Sequence, residues 1–173
     1  ANSQASITVN DINNGSSDAC GIQSIVLDKT TFNCNESGGN TVTLTVTDVN
    51  GNTNSATATV TLVDSISPVA ATKNITVYLD VSGQATITPQ MVDNGSSDNC
   101  NINFTLSQSV YGCGDGGLNL EVLTVTDDYG NSASSNFLSD VQDTISPTLN
   151  TKRITIQLGA NGQASIAPSQ IDN

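Results

Sequence analysis

Polar and apolar residues alternate along much of this chain. Thr41 to Thr47 sets Thr against Val or Leu at every second position, and Ala56 to Leu62 repeats the alternation. A period of two makes a strand that buries one face and wets the other. Asn50-Gly51 lies between these two runs and predicts a hairpin, since both residue types tolerate positive φ. Tyr129-Gly130-Asn131 fills the matching place further on. Asn161-Gly162 predicts another tight turn, between strands over 154–158 and 163–167. No segment has a convincing helical period. Six or seven short strands per unit, with turn signals between them, predict an all-β fold of tandem immunoglobulin-like β-sandwich repeats.

The units are visible as internal repetition. Gly15-Ser16-Ser17-Asp18 returns as Gly95-Ser96-Ser97-Asp98, and Thr45-Val46-Thr47-Asp48 as Thr124-Val125-Thr126-Asp127. Ile66-Ser67-Pro68 returns as Ile145-Ser146-Pro147, and Gln4-Ala5-Ser6-Ile7 is echoed from Gln84 and again from Gln163. The offsets are 79 or 80 residues. Residues 1–64 match the repeat without its opening strand, 65–143 make one full copy, and 144–173 open a third. The chain starts at Ala1 rather than Met, lacks a signal peptide and is out of phase with its repeats at both ends. It is therefore expected to be an internal or mature fragment of a longer, exported protein.

Each repeat carries two cysteines, Cys20 with Cys34 and Cys100 with Cys113. The even count and the shared spacing predict one disulfide per repeat, Cys20–Cys34 and Cys100–Cys113. A loop of that size gains about 3 kcal/mol from a crosslink. Disulfides imply an oxidising compartment, so the expected location is extracellular or on the cell surface. Zinc is the weaker reading, because neither pair is C-x-x-C and the chain has no His.

Composition narrows the function. Sixteen acidic and four basic residues leave a net charge of −12. Such a chain repels phosphate backbones, which argues against nucleic-acid partners. No apolar run is long enough to insert in a membrane as a helix. Without His there is no Ser-His-Asp or Cys-His site, and there is no glycine-rich nucleotide loop. Paired carboxylates alone are able to hydrolyse glycosides, but here they recur with the repeat and fall at turns. No enzymatic activity is expected.

The recurring aspartates have two readings. Calcium takes six to eight oxygen ligands. The connector residues Asp64 and Asp143, with the loop residues Asp18 and Asp98, are the candidate calcium ligands, the ion stiffening the string of domains. The other reading is local: Asp at a hairpin or loop bonds its own backbone. That reading is preferred for Asp48 and Asp127, and it competes with calcium at Asp18 and Asp98. Alternating Thr also raises an ice-binding face, but plain sandwich chemistry explains it.

Asp98-Asn99-Cys100, then Thr124-Val125-Thr126-Asp127 with Gly130-Asn131, then Asp143-Thr144-Ile145-Ser146-Pro147 resembles hyalin-like repeats of bacterial surface proteins. More narrowly, the run 83–89 followed by Asp93-Asn94-Gly95-Ser96-Ser97-Asp98 is similar to repeats of giant gliding-motility adhesins of the SprB type. The resemblance covers the whole chain. It implies a very large adhesin of a Bacteroidota cell, exported by type IX secretion and displayed on the outer membrane. The implied partners are neighbouring repeats of the same chain and, through the parent, an extracellular surface or polysaccharide. Asp64-Ser65-Ile66 and Asp143-Thr144-Ile145 also fit the Asp-Ser/Thr-apolar pattern of O-glycosylation in that phylum, making Ser65 and Thr144 candidate acceptors. The alternative function is a glycan-binding accessory module of a secreted multidomain protein. Sugar sites favour aromatic platforms, and six aromatic residues offer few.

Overall fold

A computed structural model describes residues 4–172. The first copy contains β1 (Gln4–Ser6), α1 (Val9–Ile12), β2 (Ile22–Leu27), β3 (Thr31–Asn33), β4 (Gly38–Asp48) and β5 (Thr53–Leu62). The second contains β6 (Ile75–Tyr78), β7 (Gln84–Thr86), α2 (Pro89–Val92), β8 (Ile102–Leu106), β9 (Val110–Gly112), β10 (Gly117–Asp127) and β11 (Ser132–Gln142). A last helical turn, α3, covers Pro168–Ile171. Helical content thus consists of single turns, too short to leave a period in the sequence.

The second copy is a full sandwich of the immunoglobulin type. One sheet has the order β6-β11-β10-β8 and the other pairs β7 with β9. β6 runs parallel to β11, and the remaining neighbours are antiparallel. Alternation along β10 sends Leu123 and Val125 into the core, where they meet Val77, Ile87, Tyr111 and Phe137. The first copy repeats this plan with β2-β4-β5 and β1-β3. Among the described residues it has no counterpart of β6, and its core is smaller: Phe32, Val42 and Leu44 are the buried apolar residues. Val46 and Ala56 stay half-buried or exposed.

Both long hairpins turn as their sequences predict. The Gly51 N–H donates to the Asp48 carbonyl at 3.1 Å and the Gly130 N–H to Asp127 at 3.3 Å. The glycines have φ of +86° and +91°, which side chains resist. Strands expected over 154–158 and 163–167 do not form. Those residues reach no sheet, although Gly159 to Gly162 makes the predicted turn. A strand needs a neighbour for its backbone N–H and C=O groups, and this segment has none.

The direction of β4 and β10 gives each copy two ends. The leading end carries the hairpin turn (48–52, or 127–131) and the loop before β2 or β8, because Ile22 pairs with Asp48 and Ile102 with Asp127. The trailing end carries the start of β4 or β10 and the end of β5 or β11, because Gly38 pairs with Leu62 and Gly117 with Val141.

Candidate functional site

The trailing end of the first copy meets the leading end of the second, and the candidate site is this junction. Cys34 opens a 3₁₀ turn over Cys34–Glu36, immediately before β4. The turn is fixed by the Asn33 N–H, which donates to Glu36 Oε2 at 2.8 Å, and by Asn33 Oδ1, which accepts from the Asn35 N–H at 3.0 Å. Cys100 lies in the loop before β8, where its N–H donates to Asp98 Oδ2 at 2.8 Å. These two cysteines form a disulfide, with Cα atoms 5.5 Å apart.

This corrects the pairing expected within each repeat. Cys20 is at the leading end of the first copy and Cys34 at its trailing end, with the eleven residues of β4 between the two ends. At about 3.3 Å per residue the strand spans roughly 33 Å, whereas a disulfide requires Cα atoms within about 7 Å. The same geometry separates Cys100 from Cys113. Cys20 and Cys113 are free and exposed.

Polar contacts surround the crosslink. The Tyr129 hydroxyl donates to the Cys34 carbonyl at 3.2 Å, and Asn131 Nδ2 donates to the Asp64 carbonyl at 3.1 Å. Asn99 Nδ2 donates to Asp64 Oδ2 at 2.6 Å. Burial pushes the Tyr129 hydroxyl above its ordinary pKa, and the negative charge of Asp64 adds to this. A cavity of about 190 Å³ remains beside the crosslink, lined by Phe32, Val63, Ile66, Asn99 and Tyr129 among others. Tyr129 stands where the first copy has Asn50, and Asn99 where it has Ala19. Those departures from the repeat were the available signal for junction residues that pattern reading passed over.

Of the four candidate calcium ligands, the fold brings two together. Oxygens of Asp64 and Asp98 lie within 4.8 Å of each other and of Cys100 Sγ. That sulfur is in the disulfide and is no thiolate ligand. Asp98 Oδ1 and Asn99 Oδ1 are buried without a hydrogen-bond partner. Asp18 and Asp143 are at the far ends, away from this cluster and from each other. All four also do local work. Asp18 Oδ2 accepts from the Cys20 N–H at 2.8 Å, as Asp98 does from Cys100. Asp64 Oδ1 accepts from the Ile66 N–H at 3.0 Å and Asp143 Oδ1 from the Ile145 N–H at 2.9 Å. The hydroxyl-bearing residues Ser65 and Thr144 follow these bonds and are exposed.

The hairpin aspartates are turn chemistry. Asp127 Oδ1 accepts from the N–H groups of Tyr129 and Asn131 at 2.9 and 2.8 Å, and Oδ2 from Asn131 Nδ2 at 2.8 Å. Asp48 bonds Asn50 and Asn52 in the same pattern.

The chain is therefore a β-sandwich repeat protein of immunoglobulin-like architecture, its two copies locked end to end by a disulfide. No family model matches it, and no curated protein does. Among solved structures, the fibronectin(III)-like modules of Clostridium thermocellum CbhA align over 75% of this chain and 83% of theirs, with 10% identity and a TM-score of 0.28. A likeness so distant says nothing about what either chain binds. No helix among the described residues is long and apolar enough to cross a membrane.

Proposed function

We propose that this chain is a repeat module of a secreted cell-surface adhesin, a stalk segment that sets the distance and stiffness between a cell and its adhesive tip, in a filament of the gliding-motility type. The observation that carries this reading is the Cys34–Cys100 crosslink between copies. A disulfide inside each sandwich would stabilise single domains. One between sandwiches resists bending and separation at the junction, which is a mechanical service. The absence of His and the hairpin and loop placement of the recurring aspartates support a non-catalytic role. The experiment is immunolabelling and protease shaving of intact cells of the source organism, with attachment assayed after deletion of the repeats. Labelled cells and weakened attachment are expected. A purely intracellular antigen, or attachment unchanged by deletion, overturns the reading.

Calcium belongs to the same proposal. Asp64 and Asp98 bring carboxylate oxygens together, the ligand type calcium prefers, and the unpartnered buried Asp98 Oδ1 is the local support for it. An ion there would tie the connector of one copy to a loop of the next. Calorimetric titration is expected to show saturable binding and a raised melting temperature, both lost in Asp64→Asn and Asp98→Asn. Absence of heat would leave the cluster as loop chemistry. O-glycans on exposed Ser65 and Thr144 are proposed on the three-residue pattern alone. An intact mass from the native host equal to the bare polypeptide ends that idea.

A further inference from the structure

Cys20 and Cys113 occupy opposite ends of the molecule, Cys20 leading and Cys113 trailing, and both are free and exposed. Each has the local geometry of its bonded counterpart. The Cys20 N–H donates to Asp18 Oδ2 at 2.8 Å, the distance and partner type found at Cys100. Cys113 opens a 3₁₀ turn over Cys113–Asp115, as Cys34 does before β4. The Gly112 N–H donates to Asp115 Oδ2 at 2.7 Å, closing that turn as Glu36 closes the other. The cysteine-bearing loop and turn of the Cys34–Cys100 junction are thus present a second time, unjoined and exposed, with Ala19 and Asn50 in place of Asn99 and Tyr129.

A second observation points to the same partner. β11 accepts β6 in parallel, Ser139 opposite Ile75 through Gln142 opposite Tyr78. Its counterpart β5 carries no strand on that edge among the described residues. A cavity of about 410 Å³ opens on this copy, lined in part by Leu44, Val46 and Ala56. Leu123 and Val125, the equivalents of Leu44 and Val46, are fully buried. The sequence equivalent of β6 is Ile154-Thr155-Ile156-Gln157, which belongs to no sheet and leaves Ile156 about half exposed. The edge equivalent to Ser139–Gln142, residues 60–63 at the end of β5, and its matching strand beyond Cys113 are therefore both unpaired in one chain.

We propose that Cys113 of one copy forms a disulfide with Cys20 of a second copy, residues 154–157 of the first closing the open β5 edge of the second. The chain then extends head to tail by repeating the disulfide and the strand pairing of its internal arrangement, without the Tyr129 and Asn99 side-chain contacts. The junction is read from geometry and stands whether or not the parent is an adhesin. The co-reactant is a low-molecular-weight disulfide such as oxidised glutathione. Two cysteine thiols are oxidised to one protein disulfide, and one glutathione disulfide is reduced to two thiols that carry the two protons.

The test uses the full chain in a glutathione redox buffer, resolved by non-reducing electrophoresis and peptide mapping. The unsubstituted chain is expected to give a ladder of trimers and higher species containing a Cys113–Cys20 peptide. Cys20→Ser and Cys113→Ser are each expected to remain monomeric, and their mixture to stop at a dimer. Ile156→Pro placed in the Cys20→Ser partner is expected to slow that dimer at least tenfold, since proline removes a ladder donor. Homodimers from either single variant at the rate of the mixture would mean indiscriminate thiol oxidation and overturn the proposal. So would a monomeric unsubstituted chain or a Cys20–Cys34 peptide. An Ile156→Pro rate equal to the parent's refutes the strand exchange.

Discussion

Single residues show how the same turn and core chemistry is tuned in two copies. Burial of Asp127 pushes its carboxyl pKa up, but the Asn131 amide and the N–H groups of Asn131, Tyr129 and Gly130 outweigh this and hold it below the usual range. A carboxylate whose folded pKa is depressed adds stability above its unfolded value, near pH 4, and loses it as pH falls through the folded value. Asp127→Ala is therefore expected to cost about 2 kcal/mol at neutral pH and to flatten the acid limb of the stability profile, measured by urea melts from pH 2 to 7. In the core, Tyr111 Oη and Ser139 Oγ are buried without hydrogen-bond partners, and burial pushes the Tyr111 hydroxyl pKa up. The first copy has Phe32 and Val60 in these places. Replacing two buried polar groups by apolar ones of similar shape is neutral or stabilising. Tyr111→Phe with Ser139→Val is expected to hold or raise stability by about 1 kcal/mol. A loss in chemical denaturation would mean that the two hydroxyls serve each other.

At the scale of elements, the long hairpins β4–β5 and β10–β11 form the backbone of each copy, and their direction decides what the ends present. Alternating Thr and Val made these strands legible, and Asn50-Gly51 with Asp48 made the turn legible. The predicted strands near the C-terminus failed for a reason outside their own residues: Ile154 to Gln157 has good strand chemistry but no sheet edge to join. At the junction, Cys34→Ser with Cys100→Ser removes a crosslink across 66 residues, worth about 4 kcal/mol in the chain-entropy view. The expected outcome is two intact sandwiches with a looser junction. Small-angle scattering should broaden, and hydrogen exchange should rise at Asn99 and Tyr129 while the β10 core stays protected. Exchange rising throughout β10 instead would place the crosslink's effect inside the sandwich.

For the whole molecule, net charge, repeated disulfide chemistry and end-to-end stacking act together. A charge of −12 keeps such rods apart from one another, so association depends on specific ends rather than on faces. The head-to-tail proposal and the calcium proposal concern the same kind of junction, since Asp143 and Asp18 would meet wherever Cys113 meets Cys20. The oxidised ladder is therefore expected to bind more calcium per chain than the monomer. A stoichiometry that does not rise with chain length would separate the two ideas.

Taken by itself, the sequence determined the repeat length, the strand class, the hairpins and the turn role of Asp48 and Asp127, because each depends on neighbours within a few positions. It also singled out Asp64 and Asp98 as residues of a connector and a loop. Only the tertiary structure decided which cysteine meets which. Count and spacing fit pairing within a repeat equally well, but an eleven-residue strand carries Cys34 to the opposite end from Cys20. The partner of each cysteine is therefore set by how successive sandwiches stack, a long-range outcome of strand direction that no local pattern encodes.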